Sequence, residues 1–188
     1  LEVNTLSLTD KHKEYLSKFN LTEQELDLFS YDTSTGRVVY PIYDGYGKLC
    51  FYQARAYDGS EPKALTYGNK IYHTIGPKSD KLVIVEDIIS AIKVGRYIQT
   101  FPLFGSSIKK EIIPQIVDLN QHIFLWLDAD KYKEALKLAK MLRSRGKHTG
   151  VIYTKEDPKD LDDIIIINRL SNANLLDSDN SSTTINVT

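Results

Sequence analysis

The runs Leu82-Val-Ile-Val-Glu86 and Ile123-Phe-Leu-Trp-Leu-Asp-Ala-Asp130 decide how this chain is read. Each is a short apolar stretch rich in β-branched or aromatic residues. Each ends on carboxylates and leads into a segment of helical pattern. Such runs read as buried parallel strands. Ligands of open α/β sheets sit just past the carboxyl ends of the strands, so Glu86, Asp128 and Asp130 reach the ligand-binding edge. Three acids in one crevice repel unless a cation lies between them. Hard oxygen donors suit Mg²⁺, which is commonly held by one or two carboxylates plus substrate phosphates. The residues alone suggest metal-assisted phosphoryl transfer.

Working outward, the pattern predicts a strand over 82–86, a helix over about 88–99 and a short strand over Phe101–Phe104. The loop Gly105-Ser-Ser107 follows, then a helix from about Lys109 that Pro114 starts or disturbs. After strand 123–128, helix 131–145 places Ala135, Leu138, Ala139 and Leu142 on one face, and Gly146 ends it. Val151-Ile-Tyr153 reads as a strand. Leu161–Leu170 reads as a helix, although four consecutive isoleucines also suit a strand. From Ser171 the composition is rich in Asn, Ser, Asp and Thr, and a disordered tail over 171–188 is expected.

Upstream, Thr9-Asp10 and Thr22 with Glu25 are helix-start signals, the second a capping box. The buried positions expected there are Leu16, Phe19, Leu26 and Phe29. The segments 37–43 and 48–55 read as a hairpin around the turn Asp44-Gly-Tyr-Gly47, with Pro41 assigning the first strand to an edge or a bulge. Gly76–Asp80 reads as the boundary between a basic subdomain, 1–80, and a catalytic domain, 81–170.

The chain has 188 residues, 41% hydrophobic and 26% charged, with a net charge of −1. That suits one domain with a small subdomain. From Arg37 to Lys81 there are seven Lys or Arg against four Asp or Glu, while Lys155–Asp163 holds five acids against two lysines. A basic face beside an acidic pocket fits a polyanion-handling enzyme; ordinary solvated charge is the plainer alternative. Cys50 is the single cysteine, so neither a disulfide nor a cysteine-rich zinc site can form within the chain. No apolar run approaches the roughly 20 residues that span a bilayer, and no membrane association is expected. The first residue, Leu1, is not Met, and the chain reads as an excised piece of something longer.

Taken together, the strand ending in Glu86, the strand ending in Asp128-Ala-Asp130 and the later Pro158-Lys-Asp160 resemble the TOPRIM fold, specifically the catalytic core of bacterial and phage DNA primases. Leu103-Phe-Gly105 looks like the Gly-containing loop between the first two elements. Gly36-Arg-Val-Val-Tyr-Pro-Ile-Tyr-Asp44, Gly47, Gln53-Ala-Arg55 and Pro62-Lys63 are similar to the basic subdomain that precedes TOPRIM in these primases. The similarity covers about residues 10–165 and looks closest to the phage type. The implied fold is α/β: a TOPRIM parallel sheet flanked by helices, preceded by a small mixed α+β basic subdomain.

The resemblance implies RNA primer synthesis from ribonucleoside triphosphates on a single-stranded DNA template, with two Mg²⁺ (or Mn²⁺) ions. Glu86, Asp128 and Asp130 hold metal in that reading, with Asp160 as a further ligand or a supporting group. Arg55, Lys63 and Lys70 bind nucleotide phosphates or template, and Arg37 takes a surface role. A replicative helicase or a zinc-binding module outside this chain is the expected partner. The expected location is the cytoplasm, that of the host for a phage-encoded chain. Two departures stand out. Many primases follow the Glu with Gly and place Asp four residues after it, where this chain has Asp87 and Ser90. After the second Asp the family often has Ala-Gly, where this chain has Tyr132-Lys133. Alternatives are a TOPRIM metal-dependent nuclease and a non-catalytic DNA-binding replication module.

Overall fold

The computed structural model describes residues 1–173 and Leu175. The chain divides after His73 into two compact units. The break falls before the expected boundary because Ile75 already belongs to the second unit. It exchanges backbone hydrogen bonds with Thr100, N to O at 2.9 and 2.8 Å. Gly76, at φ +93°, sits so close to the end of the helix over Ile88–Gly95 that a Cβ would lie 2.4 Å from the Gly95 carbonyl oxygen, a placement open only to glycine.

In the first unit, strand β1 (Thr5–Leu6) is followed by helices α1 (Asp10–Ser17) and α2 (Glu23–Leu26) and strands β2 (Ser30–Asp32), β3 (Val38–Tyr43), β4 (Leu49–Arg55) and β5 (Ala64–Gly68). The strands form one antiparallel sheet in sequence order. Both expected helix starts are present. Thr22 Oγ1 accepts from Glu25 N at 3.2 Å and Glu25 Oε2 accepts from Thr22 N at 2.8 Å. At α1 the partner of Thr9 is His12, whose Nδ1 accepts from Thr9 N at 3.2 Å while its Nε2 lies 2.8 Å from the Gly36 carbonyl. Leu16, Phe19 and Phe29 are buried as expected, and Leu26 only in part.

Two expectations for this unit, those for Pro41 and Arg37, need correction, and one strand is added. Pro41 lies in an interior strand, yet β2 pairs only with Val38 and Val39, so the flank of Pro41 that carries no N–H faces no partner strand. The irregularity expected from it comes further along, between Ile42 and Tyr43. Residues 64–68, mostly exposed, are a fifth strand. Arg37 is buried rather than at the surface, and its Nη1 donates to the Pro62 carbonyl at 2.7 Å.

The second unit contains β6 (Lys81–Val85), α3 (Ile88–Gly95), β7 (Thr100–Pro102), α4 (Ile113–Asp118), β8 (His122–Trp126), α5 (Tyr132–Arg143), β9 (Thr149–Val151) and α6 (Asp163–Asn172). Its sheet is wholly parallel, in the order β7-β6-β8-β9, with helices flanking it. Leu82 to Val85 are all fully buried, as are Ile123, Leu125 and Trp126, as befits strands covered on both faces. The eight residues of α3 are all buried. In contrast, α5 buries one stripe, Ala135, Ala139 and Leu142. Residues 161–170 fall largely within α6, so the isoleucine run is helical, and α6 extends through Ser171 and Asn172, where a tail was expected. The rest of the expected tail, Leu175 and Ala173 apart, lies outside the described residues. Among the described residues no helix is long and apolar enough to cross a membrane.

Candidate active site

The strand order reverses between β6 and β8. The chain leaves β6 for β7 on one side and returns to place β8 on the other. A crevice at the carboxyl ends of two such strands is the topological switch point at which open α/β sheets bind ligands. Glu86 directly follows β6 and Asp128 lies just past the end of β8. The Gly105 N–H donates to the Glu86 carbonyl at 3.1 Å, and the Leu103 N–H to that of Val85 at 2.9 Å. The loop after β7, with Phe104 at φ 51° and Gly105 at φ 148°, thus fixes the backbone that presents Glu86. Asp87 caps α3: its Oδ1 accepts from Ile89 N at 2.9 Å and Ser90 N at 3.0 Å.

The centre of this edge is Lys159, in the turn Pro158–Asp160. Its Nζ lies 2.7 Å from Asp128 Oδ2, 2.7 Å from Asp157 Oδ2 and 3.2 Å from Asp87 Oδ2. Asp157 in turn accepts from the Ala129 N–H at 2.9 Å through Oδ1. The turn is held from behind by Lys93, 2% exposed, whose Nζ donates to the carbonyls of Lys159 at 2.8 Å and Leu161 at 2.6 Å. Trp126 Nε1 donates to Thr154 Oγ1 at 2.9 Å, and that hydroxyl to the Glu156 carbonyl at 2.8 Å. These bonds dock the segment after β9 against β8.

Burial, then the neighbouring Asp87, raises the pKa of Glu86, with Lys131 and Lys159 pulling the other way. Burial is also the main reason that Asp128 is pushed up to about 7; Asp87 and Glu86 add to it, and Lys159 offsets part. For Asp157 burial acts upward too, but the Lys159 ammonium and the Ala129 N–H outweigh it, and the net shift is downward. Lys159 is desolvated, yet the carboxylates around it, Asp87 first, raise its pKa. Lys159 and Asp128 thus both favour their protonated forms although they touch. The physical sense is that one ammonium does not balance the surrounding carboxylates: Lys159 stays charged, and Asp128 is the acid most short of positive charge.

That shortage has a location. Glu86 Oε2 and Asp128 Oδ1 are buried without a hydrogen-bond partner. Buried acceptors without donors are costly, and a cation between the two would satisfy both. This donor set fits a Mg²⁺-type ion, which binds through one or two carboxylates and otherwise keeps water or substrate phosphate. Among the described residues no three His, Cys, Asp or Glu side chains are gathered into a ready-made cage.

Of the acids picked out in the sequence, Glu86 and Asp128 face this edge. Asp130 is exposed in the turn Ala129–Lys131 and pairs with Lys131 at 3.4 Å. Asp160 closes the next turn and is exposed. Ser90 is fully buried, and its Oγ has no partner. The contributors not assigned from sequence are Asp157 and Lys159. Lys159 stands in the Pro158-Lys-Asp160 element picked out from sequence, but without a role, and Asp157 lies just before it in irregular chain where no periodicity says which way a side chain points.

In the first unit, Arg55 ends β4 opposite Ala64, and the Ala56 N–H donates to the Lys63 carbonyl at 3.0 Å. Arg55 and Lys63 therefore share one end of the β4–β5 pair. Lys70 follows the other end, where Phe51 faces Gly68. The length of β5, five residues, separates the ends by about 17 Å at the strand rise.

Comparison with known proteins supplies the rest. No protein-family model matches the chain. A DNA primase of Staphylococcus epidermidis is 25% identical over 159 residues, which span 74% of this chain and 27% of that protein. The zinc-binding and RNA polymerase domains of the Aquifex aeolicus primase superpose with a TM-score of 0.64 at 15% identity, covering 89% of this chain and 55% of that one. A DnaG catalytic core gives 0.58 at 18% identity, over 87% of this chain and 73% of the other. A DnaG primase catalytic domain bound to single-stranded DNA gives 0.55 at 18%, over 87% and 59%. The chain has the fold of the DnaG-type primase catalytic core, with the parallel sheet of TOPRIM.

Proposed function

We propose that this chain, built on the primase catalytic-core fold, joins ribonucleotides into short RNA primers on a single-stranded DNA template. The observation that carries this reading is the pair of unpartnered oxygens, Glu86 Oε2 and Asp128 Oδ1, at the switch point of the parallel sheet. A divalent cation, Mg²⁺ or Mn²⁺, would be held by Glu86 and Asp128. It supplies charge neutralisation at a triphosphate and lowers the pKa of a 3′-hydroxyl. Asp130, exposed beside that edge, is available to a second ion arriving with the nucleotide, and Asp160, exposed in the turn that carries Lys159, to a supporting contact. Asp87 and Asp157 orient Lys159, whose ammonium offsets the carboxylates.

Arg55 and Lys63 are assigned to phosphates of nucleotide or template, and Lys70 to a separate contact. One structural neighbour is a primase catalytic domain bound to single-stranded DNA, which supports the choice of template. The zinc-binding domain of the Aquifex protein supports a template-selecting module outside residues 1–188. A replicative helicase is the other expected partner, and the cytoplasm the expected location. The test is incubation with single-stranded template, labelled ribonucleotides and Mg²⁺ or Mn²⁺. Template-dependent primers are expected. Cleavage of the template would assign the site to a nuclease, and binding without chemistry to a non-catalytic module.

A further inference from the structure

Lys159 occupies the point on which three carboxylates converge. Three carboxylates, Asp87, Asp128 and Asp157, turn their Oδ2 atoms toward one point, and the cation at that point is an ammonium, at 3.2, 2.7 and 2.7 Å. The other oxygens of two of them are already engaged. Asp87 Oδ1 accepts the N–H groups of Ile89 and Ser90, and Asp157 Oδ1 that of Ala129. The oxygens left over are Asp128 Oδ1 and, from the end of β6, Glu86 Oε2. Two oxygens suffice for one hydrated divalent ion and not for two. Lys93, buried and donating to the carbonyls of Lys159 and Leu161, fixes the backbone from which the ammonium reaches the carboxylates.

We propose that Lys159 is a built-in cation that takes the place of one metal ion, so that the free protein binds a single divalent ion, through Glu86 and Asp128. The inference rests on the divalent-cation reading above and concerns how many ions the chain itself holds. An ammonium brings one positive charge, needs no recruitment from solution and is insensitive to the free Mg²⁺ concentration. It cannot lower the pKa of a bound water or hydroxyl as a divalent ion does. Lys159 is in this sense a positioning and charge-balancing residue, and the activating role falls to the single ion.

The test counts ions without nucleotide or template present. Mn²⁺ is titrated into the full chain by calorimetry, with electron paramagnetic resonance following free and bound ion. Sites are counted as those lost in Asp128→Asn. The expected result is one Mn²⁺ per chain for the wild type and for Lys159→Arg. Lys159→Met is expected to hold two, the second showing the spin coupling of a close Mn²⁺ pair. Two ions in the wild type overturn the proposal, a result that does not depend on whether any variant folds. One ion in a folded Lys159→Met overturns it as well. Loss of primer synthesis as the function, with the change from one ion to two intact, would remove the primase reading and leave the assignment of Lys159 standing.

Discussion

The two sheets gather charged residues in opposite ways. In the parallel sheet all four strands point the same way, so the residues just beyond each strand arrive at one edge. Residues 86, 87, 128, 157 and 159, spread over more than seventy positions, meet there. In the antiparallel sheet each successive strand reverses. Arg55 and Lys63, only eight apart, share an end because a turn joins them, while Lys70, seven further on, is carried to the other end. A parallel sheet concentrates distant residues; an antiparallel one pairs near neighbours and disperses the rest. Catalysis needs convergence, whereas binding an extended polyanion tolerates spread.

The largest effect is expected where convergence is strongest. Glu86→Gln and Asp128→Asn each remove a charge from the pair with unpartnered oxygens. Primer synthesis should fall by about 10²–10³, the scale for deleting one preorganised electrostatic contact. Circular dichroism should be unchanged. Near-normal yield from either folded variant would mean that the parallel edge does not carry the chemistry.

The convergence was partly legible in the amino-acid sequence. The runs Leu82–Val85 and Ile123–Leu127 announce parallel strands by their unbroken apolar character, and the residue after a strand in such a sheet must reach the ligand edge. Glu86 and Asp128 were therefore readable, and so was the capping potential of Asp87. Asp157 was not, and Lys159 was readable only as part of the Pro158-Lys-Asp160 element, not as the centre of the edge. They sit in irregular chain after β9, and their orientation is set by tertiary bonds from Lys93, Trp126 and Thr154 that no local pattern encodes. Lys93 itself hid because a lysine in the run 88–95 looks like a solvated position, although that helix is buried throughout. β5 was not read as a strand because its residues are mostly exposed and form no buried apolar stripe. In each case tertiary context overrode the local signal.

Support from behind the edge is the next thing to break. Lys93→Met removes the donor to the carbonyls of Lys159 and Leu161 and leaves two buried acceptors unpaired. Relief of a desolvated charge offsets part of the loss. A net destabilisation of about 1–3 kcal/mol is expected, read as a lowered midpoint in urea. An unchanged midpoint would show that the Pro158–Leu161 turn is held by other bonds.

A pH series tests whether the edge is short of positive charge. The pKa of Asp128 is raised from 3.8 to about 7. Between those values the unfolded chain has lost the proton and the native chain keeps it. Stability from this group therefore falls as pH rises from about 4 to about 7 and is flat above, by at most about 1.4 kcal/mol per pH unit. Lys159, raised above its ordinary value, contributes stability that is fully present below about 10 and lost only as pH climbs through its folded pKa, so it adds no slope in this window. The difference in urea midpoint between wild type and Asp128→Asn should isolate the slope. Added Mg²⁺ should reverse it, because the ion binds the ionised form and stabilises more as pH rises. A difference that is level from pH 4 to 7, with or without Mg²⁺, would contradict the raised pKa and with it the demand for a cation.

The smallest effects are expected in the antiparallel sheet, and they test the dispersal directly. Arg55→Ala and Lys63→Ala each remove one positive charge from the same end of the β4–β5 pair, where the backbone already brings them together. Contacts of partly exposed charges contribute about 1 kcal/mol or less, so each should raise the KM for nucleotide or template by about fivefold at most, with kcat retained. Neighbours that face one phosphate group should also couple, and the double variant should lose less than the product of the two single losses. Lys70, about 17 Å away along the strand, should add to either without coupling. Raising the salt concentration should shrink all three effects, since each reflects counterion release from a phosphate. If Lys70→Ala instead couples to Arg55→Ala, one rigid ligand spans the length of β5 and the two ends act as a single site. If Lys70→Ala alone raises KM, the phosphates lie at the far end, and the pairing of Arg55 with Lys63 reflects only the turn that joins their strands.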